Sequence, residues 1–278
     1  MRGRWLLPAI LTGLVLLGSV GQGQAQSSAE TLAALRGDYF RLESRATGRP
    51  YHIYIRLPEG YDPAADATYP VVYVTDGDSL FPILAASHLF LHYDERLPEA
   101  VVVGIAYGGF EPSVNFRGVD YRGPRDGQPM EAAGAAAFQA LLRDELIPEV
   151  ERRYRVDPRR RILFGQSLGG GFVVYSALTE PDLFWGRIAS NPAFGDDSDW
   201  ARAAPAVATR DDLRLVVVSG SRDWPALREG VAAWAEAWRN RDTPWALEVR
   251  TLEGGTHAAS AAEAYRTGLL WLWGREPG

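Results

Sequence analysis

Ser167 occupies the centre of the pentapeptide GQSLG at 165–169, which matches the pattern Gly-x-Ser-x-Gly. Apolar residues at 162–164 precede the pentapeptide and a longer apolar stretch continues to Leu178, so the pattern falls between a predicted strand and a predicted helix. In such a turn the serine takes a strained backbone conformation, and its hydroxyl is exposed beside the start of the helix. The spacing therefore predicts a nucleophilic serine at a sharp strand-to-helix turn.

A serine nucleophile needs a general base, and His257 follows the last predicted strand, residues 245–252. The other histidines, His52, His88 and His92, all precede the serine. His52 falls on the polar face of an alternating strand. The other two lie four residues apart on a predicted helix, a spacing that could hold a metal, but no cysteine and no His-Glu-x-x-His motif accompanies them. We therefore predict His257 as the base and no metal site.

Asp223 is the leading candidate for the acid, because it follows the apolar run 213–218 that lies between the serine and the histidine. Its carboxylate would hold the imidazole in one tautomer and stabilise the imidazolium. The alternatives are Asp196, Asp197 and Asp199. They follow the preceding predicted strand, and a loop there would face the same end of a parallel sheet.

Acyl transfer also needs hydrogen-bond donors for the oxyanion of the tetrahedral intermediate. The backbone N–H of Leu168, directly after the serine, is the first predicted donor. The second is predicted in the loop after the buried strand 71–74, where the N–H of Asp78 is the candidate. These residues predict acyl transfer through a covalent serine ester, with no metal or organic cofactor.

The elements that must position these residues alternate along the second half of the chain. Eight strands are predicted, at 39–43, 51–57, 71–75, 101–106, 161–164, 186–190, 213–219 and 245–252. Further helices are predicted at 131–153, 168–179, 226–240 and 260–273. The first two strands are predicted to form an antiparallel hairpin at the sheet edge. The later alternation is typical of a parallel sheet with helices on both faces.

The chain resembles the putative-esterase family of α/β hydrolases, which includes enterobactin-type siderophore esterases, esterase D, feruloyl esterases and mycolyltransferases. The resemblance covers about residues 38–273 and rests on segments at 69–78, 116–121, 145–157, 163–170, 181–184, 190–192 and 254–257. It implies an α/β-hydrolase fold with a mostly parallel, eight-stranded sheet and helices on both faces. It also implies that Ser167, Asp223 and His257 form the triad, and that Asp78 and Leu168 supply the oxyanion hole.

Within this family the chain is most similar to the single-domain, exported siderophore-esterase branch. That likeness implies a small-molecule ester substrate, with ferric siderophores as the leading class. Two positions depart from the family pattern. Gln166 stands where a histidine is common before the nucleophile, and Asn191 interrupts a Ser-Pro step after the sixth strand.

Three residues are predicted to bind substrate. Arg117 lies in a Gly- and Pro-rich connection that leaves the sheet at the serine's end, and the resemblance implies that such arginines bind anionic ferric catecholates. Tyr121 belongs to the same matched segment. Trp224, directly after the candidate acid, could line an acyl or aryl pocket. An alternative for Arg117 and its neighbours Arg122 and Arg125 is surface pairing with Glu111, Asp120 and Asp126.

The composition excludes several kinds of chemistry. The chain of 278 residues has no cysteine and no lysine, which excludes thiol nucleophiles, thiolate metal sites, disulfides, Ser-Lys dyads, Schiff-base enzymes and the P-loop. Its formal net charge of −6 argues against general nucleic-acid binding. The length after residue 25 fits one hydrolase domain, 26–278.

Residues 1–25 are predicted to be a signal peptide. Arg2 and Arg4 precede an uncharged apolar run at 5–20, and residues 23–25 form a small-x-small cleavage pattern. The run is shorter than the roughly 20 residues of a membrane-spanning helix. We therefore expect export to the periplasm or the exterior without a stable membrane anchor, and an uncleaved anchor is the alternative.

Three other functions are alternatives to siderophore-ester hydrolysis. An exported esterase for feruloyl or acetyl groups of plant polysaccharide would share every catalytic residue. An acyltransferase of the mycolyltransferase type would differ in preferring a sugar alcohol to water. A non-catalytic binding protein could retain the same fold. The sequence predicts no particular oligomeric state.

Overall fold

The computed structural model describes residues 37–125, 127–195 and 199–274. The predicted signal peptide, 1–25, lies outside the described residues, as do Asp196 and Asp197, two of the alternative acids. Within the described ranges, no helix is both long enough and apolar enough to cross a membrane.

One eight-stranded sheet organises these residues. Its strands are β1 (Gly37–Glu43), β2 (Pro50–Arg56), β3 (Tyr69–Val74), β4 (Val101–Ala106), β5 (Val156–Gln166), β6 (Gly186–Ser190), β7 (Leu213–Gly220) and β8 (Trp245–Leu252). The order across the sheet is β1-β2-β4-β3-β5-β6-β7-β8. β2 runs antiparallel to β1 and β4, and the other neighbouring pairs are parallel. All eight predicted strands and the edge hairpin are confirmed.

Helices cover both faces of this sheet. They are α1 (Gly77–Glu95), α2 (Arg117–Asp120), α3 (Gly134–Leu141), α4 (Ile147–Arg153), α5 (Leu168–Thr179), α6 (Pro225–Trp238) and α7 (Ala261–Leu272). Side chains of α1 and α7 pack in one apolar core, and those of α3 to α6 pack in the other. Val71–Val74 of β3 are fully buried, because a parallel strand between two helical layers exposes neither face to water.

The helix predicted at 131–153 is interrupted. A 3-10 turn at Met130–Ala132 precedes α3, and a π-helical turn, Leu142–Leu146, separates α3 from α4. Pro148 has no N–H with which to continue the regular ladder of hydrogen bonds, and π-helical turns accommodate such breaks. The apolar periodicity therefore predicted helical structure here but could not predict its division.

α1 is the helix whose ends the sequence did not define. Its buried positions from Leu80 to Leu91 follow the helical period. However, Ile83 and Phe90 are apolar and exposed, and Pro82 lies inside the helix. Because these three residues obscure the period, the sequence predicts a helix only around the two histidines, His88 and His92.

The parallel strands bring six loops to one edge of the sheet. These loops follow the carboxyl ends of β3, β4, β5, β6, β7 and β8, and ligand sites of open α/β sheets form at that edge. In chain order, they lead to or carry Asp78, Asn115, Ser167, Asn191, Asp223 and His257. The topology thus places the predicted nucleophile, base and acid at a single edge.

Candidate active site

Ser167 lies at a sharp turn between β5 and α5. Its backbone has φ 60° and ψ −119°, a combination that residues with side chains rarely adopt. A Cβ atom on Gly165 would lie 2.2 Å from the carbonyl oxygen of Gly169, and one on Gly169 would lie 2.4 Å from Oγ1 of Thr75. Both positions therefore require glycine, because the strand, the turn and the helix approach one another so closely.

A hydrogen-bonded chain connects the predicted base to its two partners. Nε2 of His257 lies 3.0 Å from Oγ of Ser167, and Nδ1 of His257 lies 2.8 Å from Oδ1 of Asp223. The Asp223 side chain is 1% exposed, so water hardly competes for its carboxylate. In this arrangement Nδ1–H is donated to the carboxylate, and Nε2 can accept the serine proton.

Asp223, the leading candidate for the acid, lies in the loop after β7. Its Oδ1 also accepts the N–H of Trp224 over 2.6 Å, which fixes the carboxylate from a second direction. Of the alternative acids, the described one is Asp199. Its side chain is 88% exposed and lies 3.5 Å from Arg202 in an ion pair. Asp199 therefore has the environment of a solvated surface carboxylate.

Backbone hydrogen bonds join the loop that carries Asp223 to the loop that carries His257. The N–H of Arg222 donates to the carbonyl oxygen of Gly255 over 2.8 Å, and the N–H of Ser221 donates to that of Leu252 over 2.9 Å. A Cβ atom on Gly220 would lie only 2.4 Å from the Gly255 carbonyl oxygen. These contacts hold the segments that carry Asp223 and His257 at a fixed separation.

The two predicted oxyanion donors both lie at helix starts. Asp78 is in the first turn of α1, and Leu168 is the first residue of α5. The first N–H groups of a helix have no acceptor within it and are therefore suited to bind negative charge. The Asp78 carboxylate has a separate role, because it accepts the N–H groups of Tyr107 and Gly108 over 2.7 and 2.9 Å. It ties the turn after β3 to the loop after β4.

Ser167 and His257 open into a cavity of about 300 Å³. Its wall has an apolar part, which consists of Leu80, Phe110 and Ala258, and a polar part that includes Asp76, Asn115, Arg117 and Gln166. The volume is at the lower end of the range for small-molecule sites. Such a wall can hold an apolar or aromatic group while polar side chains orient an ester.

Arg117 lines the cavity, and its main partner is a buried carboxylate. Its Nε and Nη2 atoms donate to the two carboxylate oxygens of Asp76 over 2.7 and 3.1 Å. Burial raises the pKa of Asp76, and the hydrogen bonds and charge of Arg117 oppose that rise. The alternative of a pair between Arg117 and Asp120 is wrong, because Asp120 accepts hydrogen bonds from Arg49 and Tyr51 instead.

We expect Arg117→Met to lower the free energy of unfolding by about 2 kcal/mol at pH 8, because it leaves the Asp76 carboxylate buried without its cation. The loss should be smaller at pH 4.5. A carboxyl group whose pKa is higher in the folded state than in the unfolded state costs no stability below its unfolded-state pKa, and the cost grows with pH until it is complete above its folded-state pKa. Denaturant unfolding at both pH values measures the difference. The exposed Arg122→Met is the control, and an equal loss at the two pH values would contradict this role of Arg117.

The other two predicted substrate contacts have different positions. Tyr121 is buried behind the turn after β3, where its hydroxyl oxygen accepts the N–H of Asp76 over 3.1 Å. The prediction that Tyr121 binds substrate is therefore corrected: it supports the turn. Trp224 is exposed and stacks on the imidazole of His257, with ring centroids 4.5 Å apart and an interplanar angle of 16°. It covers one face of the base.

The remaining histidines have structural partners. Nδ1 of His52 lies 2.7 Å from the Tyr39 hydroxyl. Both ring nitrogens of His88 are engaged, by the Tyr265 hydroxyl at 2.9 Å and by the carbonyl oxygen of Pro98 at 3.2 Å. Burial lowers the pKa of His88 to about 4, so it is neutral at physiological pH. Among the described residues, no three potential metal ligands of the His, Asp and Glu types come together.

Sequence reasoning missed two residues of the polar wall, Asp76 and Asn115. Asp76 has φ 54° and lies directly before α1, a position where a short polar side chain tolerates the left-handed conformation. The Asn115 amide donates to the carbonyl oxygen of Gly109 over 2.9 Å and folds the loop around Phe110. Asp76 lies within the matched segment 69–78, which did not indicate a role for its side chain, and the signal for Asn115 was its place in a loop at the carboxyl edge of the sheet.

Comparison with known proteins relates this site to a family. The family model described as "Putative esterase" matches residues 44–271. Ferri-bacillibactin esterase BesA of Bacillus subtilis is 36% identical over 168 residues, which are 55% of this chain and 56% of that protein. The match thus spans about half the length of the curated relatives.

Solved structures agree with the fold. The BES protein from Bacillus cereus has a TM-score of 0.72 at 22% identity and covers 85% of this chain and 94% of its own. Siderophore hydrolase EstB from Aspergillus nidulans has a TM-score of 0.72 at 22% identity, with coverages of 84% and 93%. The sheet order and these neighbours establish the predicted α/β-hydrolase fold. Through the model match over residues 44–271, the chain belongs to the putative-esterase family.

Proposed function

We propose that this protein is a serine carboxylic-ester hydrolase in which Ser167 is the nucleophile, His257 the general base and Asp223 the orienting acid. The observation that carries the proposal is the continuous hydrogen-bonded chain through these three side chains, which ends at a strained serine in an open cavity. Membership of an esterase family supports the same chemistry.

The first half of the reaction forms an ester on the enzyme. Nε2 of His257 takes the hydroxyl proton as Oγ of Ser167 attacks the ester carbonyl carbon. The backbone N–H groups of Leu168 and Asp78 bind the oxyanion that develops. The imidazolium, stabilised by Asp223, then gives its proton to the departing alkoxide, and the acyl group stays on the serine.

The second half frees the acid. A water molecule takes the place of the alcohol, and His257 removes its proton as the water oxygen attacks the acyl ester. Collapse of the second tetrahedral intermediate returns the proton to Ser167 and releases the carboxylic acid. Each proton moves through one imidazole, so the cycle needs no metal and no organic cofactor.

We propose siderophore trilactones that carry catecholate groups as the substrate class. The proteins to which the chain is similar include a ferri-bacillibactin esterase and a siderophore hydrolase. The cavity wall adds physical support, because Phe110 is an exposed aromatic surface and Arg117 offers a cation beside the serine. Aromatic rings pack on such surfaces, and guanidinium groups bind anionic oxygens by charge-assisted hydrogen bonds.

The test is to incubate the protein with an iron-loaded and an iron-free catecholate trilactone, a feruloylated oligosaccharide and 4-nitrophenyl butyrate. Products are quantified by mass spectrometry, with and without a sugar alcohol as a competing acceptor. We expect trilactone cleavage that Ser167→Ala abolishes. Release of ferulate alone would move the substrate class to polysaccharide esters, and transfer to the sugar would make the protein an acyltransferase. No Ser167-dependent product from any ester would overturn the hydrolase proposal in favour of a binding protein.

We also propose that residues 1–25 direct export and are removed. The proposal rests on the basic start, the apolar run and the cleavage pattern of the sequence. Expression of the full chain in a Gram-negative host, followed by the intact mass of the periplasmic protein, tests it. A product that begins near Gln26 is expected, and a full-length product in the membrane fraction would contradict it.

A further inference from the structure

Gln166 and Asn191, the two residues that depart from the family pattern, form hydrogen bonds to the same backbone atom. The side-chain amides of Gln166 and Asn191 both donate to the backbone carbonyl oxygen of His257, and the Asn191 bond measures 2.9 Å. Both side chains are buried, Gln166 at 6% exposure and Asn191 at 1%. The two donors come from the carboxyl ends of the neighbouring strands β5 and β6. The residue that carries the base is therefore held from the sheet itself.

The oxygen atoms of both side-chain amides accept hydrogen bonds, which fixes the orientation of each amide group. Oε1 of Gln166 accepts the hydroxyl of Ser190 over 2.5 Å. Oδ1 of Asn191 accepts the N–H of Gly220 over 2.7 Å. Because each amide oxygen faces a hydrogen donor, each NH₂ group must face the His257 carbonyl oxygen.

Asn191 also connects the acid to the base. The N–H of Asp223 donates to the carbonyl oxygen of Gly220, the residue whose own N–H is bound by Asn191. One buried side chain thus contacts the loop of Asp223 at Gly220 and the loop of His257 at its carbonyl. Asn191 has φ 41°, a left-handed conformation that asparagine adopts more readily than most residues.

We propose that Gln166 and Asn191 form an amide clamp that positions His257 for proton transfer from Ser167. The proposal rests on the proposed hydrolase function and adds two positioning residues to it. A general base works only within hydrogen-bond reach of its proton, and a displacement of about 1 Å can cost about 100-fold in rate. The clamp acts on the backbone of the histidine residue, so loss of the clamp allows the imidazole to move away from Oγ.

Replacement of each amide by a carboxyl group of the same shape tests the clamp. Gln166→Glu and Asn191→Asp each replace the donating NH₂ group by oxygen, while side-chain size and the acceptor for Ser190 or Gly220 are kept. The matched control is Gln139→Glu on α3, which makes the same change in a buried glutamine whose amide donates to Oγ1 of Thr179 over 2.8 Å. This control reports the cost of a buried acid away from the cavity.

The measurements are kcat and KM for 4-nitrophenyl butyrate at pH 8, the rate at which diisopropyl fluorophosphate inactivates the enzyme, and the unfolding midpoint. We expect kcat and the inactivation rate to fall about 10-fold in each single variant, with KM within about twofold. In the double variant, kcat and the inactivation rate should fall by more than the product of the two single effects. The reason is that in each single variant the remaining amide still holds the His257 carbonyl oxygen. Gln139→Glu should lose stability and keep kcat.

Each contrary outcome is informative. Clamp variants that lose no more kcat than Gln139→Glu at an equal loss of stability would overturn the positioning role. A double variant that shows only the product of the single effects would overturn the joint clamp. A wild-type protein that neither hydrolyses the ester nor reacts with the fluorophosphate would overturn the hydrolase function itself. If the wild-type protein is active, a loss of kcat in the clamp variants therefore tests the clamp separately from the hydrolase function.

Discussion

Ser167→Ala should lower kcat for ester hydrolysis by about 10⁵-fold or more, because it removes the atom that attacks the carbonyl. The fold should be kept. The hydroxyl bonds to Nε2 of His257 at the cavity surface, and alanine retains the Cβ atom in the same turn. Steady-state kinetics with 4-nitrophenyl butyrate, together with the thermal unfolding midpoint, measure both expectations.

Ser167→Gly is the companion variant. It should be equally inactive but should unfold at a higher temperature than Ser167→Ala, because glycine adopts φ 60° and ψ −119° without the cost of a Cβ atom, about 1 kcal/mol. Turnover that survives in both variants would locate the nucleophile elsewhere. Loss of cooperative unfolding in Ser167→Ala would contradict a purely catalytic role for the serine.

Asp223→Asn should lower kcat by about 10³- to 10⁴-fold with little change in KM. The asparagine side chain fits the same buried space, but its amide is neutral and does not stabilise an imidazolium. With an NH₂ group towards Nδ1, it also favours the tautomer in which Nε2 carries the proton and cannot accept one from Ser167. Kinetics between pH 6 and 9 would show the loss at every pH value.

Asp199→Asn is the matched control, because it makes the same chemical change in the described alternative acid. Its carboxylate is exposed and paired with Arg202, so kcat should stay within about twofold of the wild-type value. Full activity in Asp223→Asn, combined with a large loss in Asp199→Asn, would reverse the assignment of the acid. Equal, small effects of both would assign the acid to Asp196 or Asp197, or indicate a Ser-His pair that needs no acid.

The central strands and the elbow were predictable because their sequence signals are local. Buried parallel strands are short apolar runs, and those at 101–106 and 186–190 have the predicted bounds in the structure, as does the partly exposed edge strand at 245–252. Gly165 and Gly169 at the ends of the pentapeptide indicate a turn that is packed too closely for a Cβ atom. By contrast, the sequence predicted α1 only around His88 and His92, without its ends, and did not predict the π-helical turn before α4, because exposed apolar residues and prolines disturb the helical period.

Loop contacts were predicted less well, because they join residues far apart in the chain. Asp76 and Arg117 form their ion pair across 41 positions, and no local pattern connects them. Tyr121 had a matched segment in its favour, yet the packing of that segment turns the ring inward, behind Asp76. Charge and residue type could indicate that a side chain has a partner, but not which residue that partner is.

Apolar periodicity and glycine spacing act over a few residues, so the order of the strands along the chain, the strained serine turn and a short set of candidate acids and bases could be derived from the sequence. Which of these candidates meet could not. Asp223 contacts His257 rather than solvent, and the amides of Gln166 and Asn191 converge on one carbonyl oxygen. These contacts depend on how separate loops pack at the edge of the sheet, and the assembled core sets that packing.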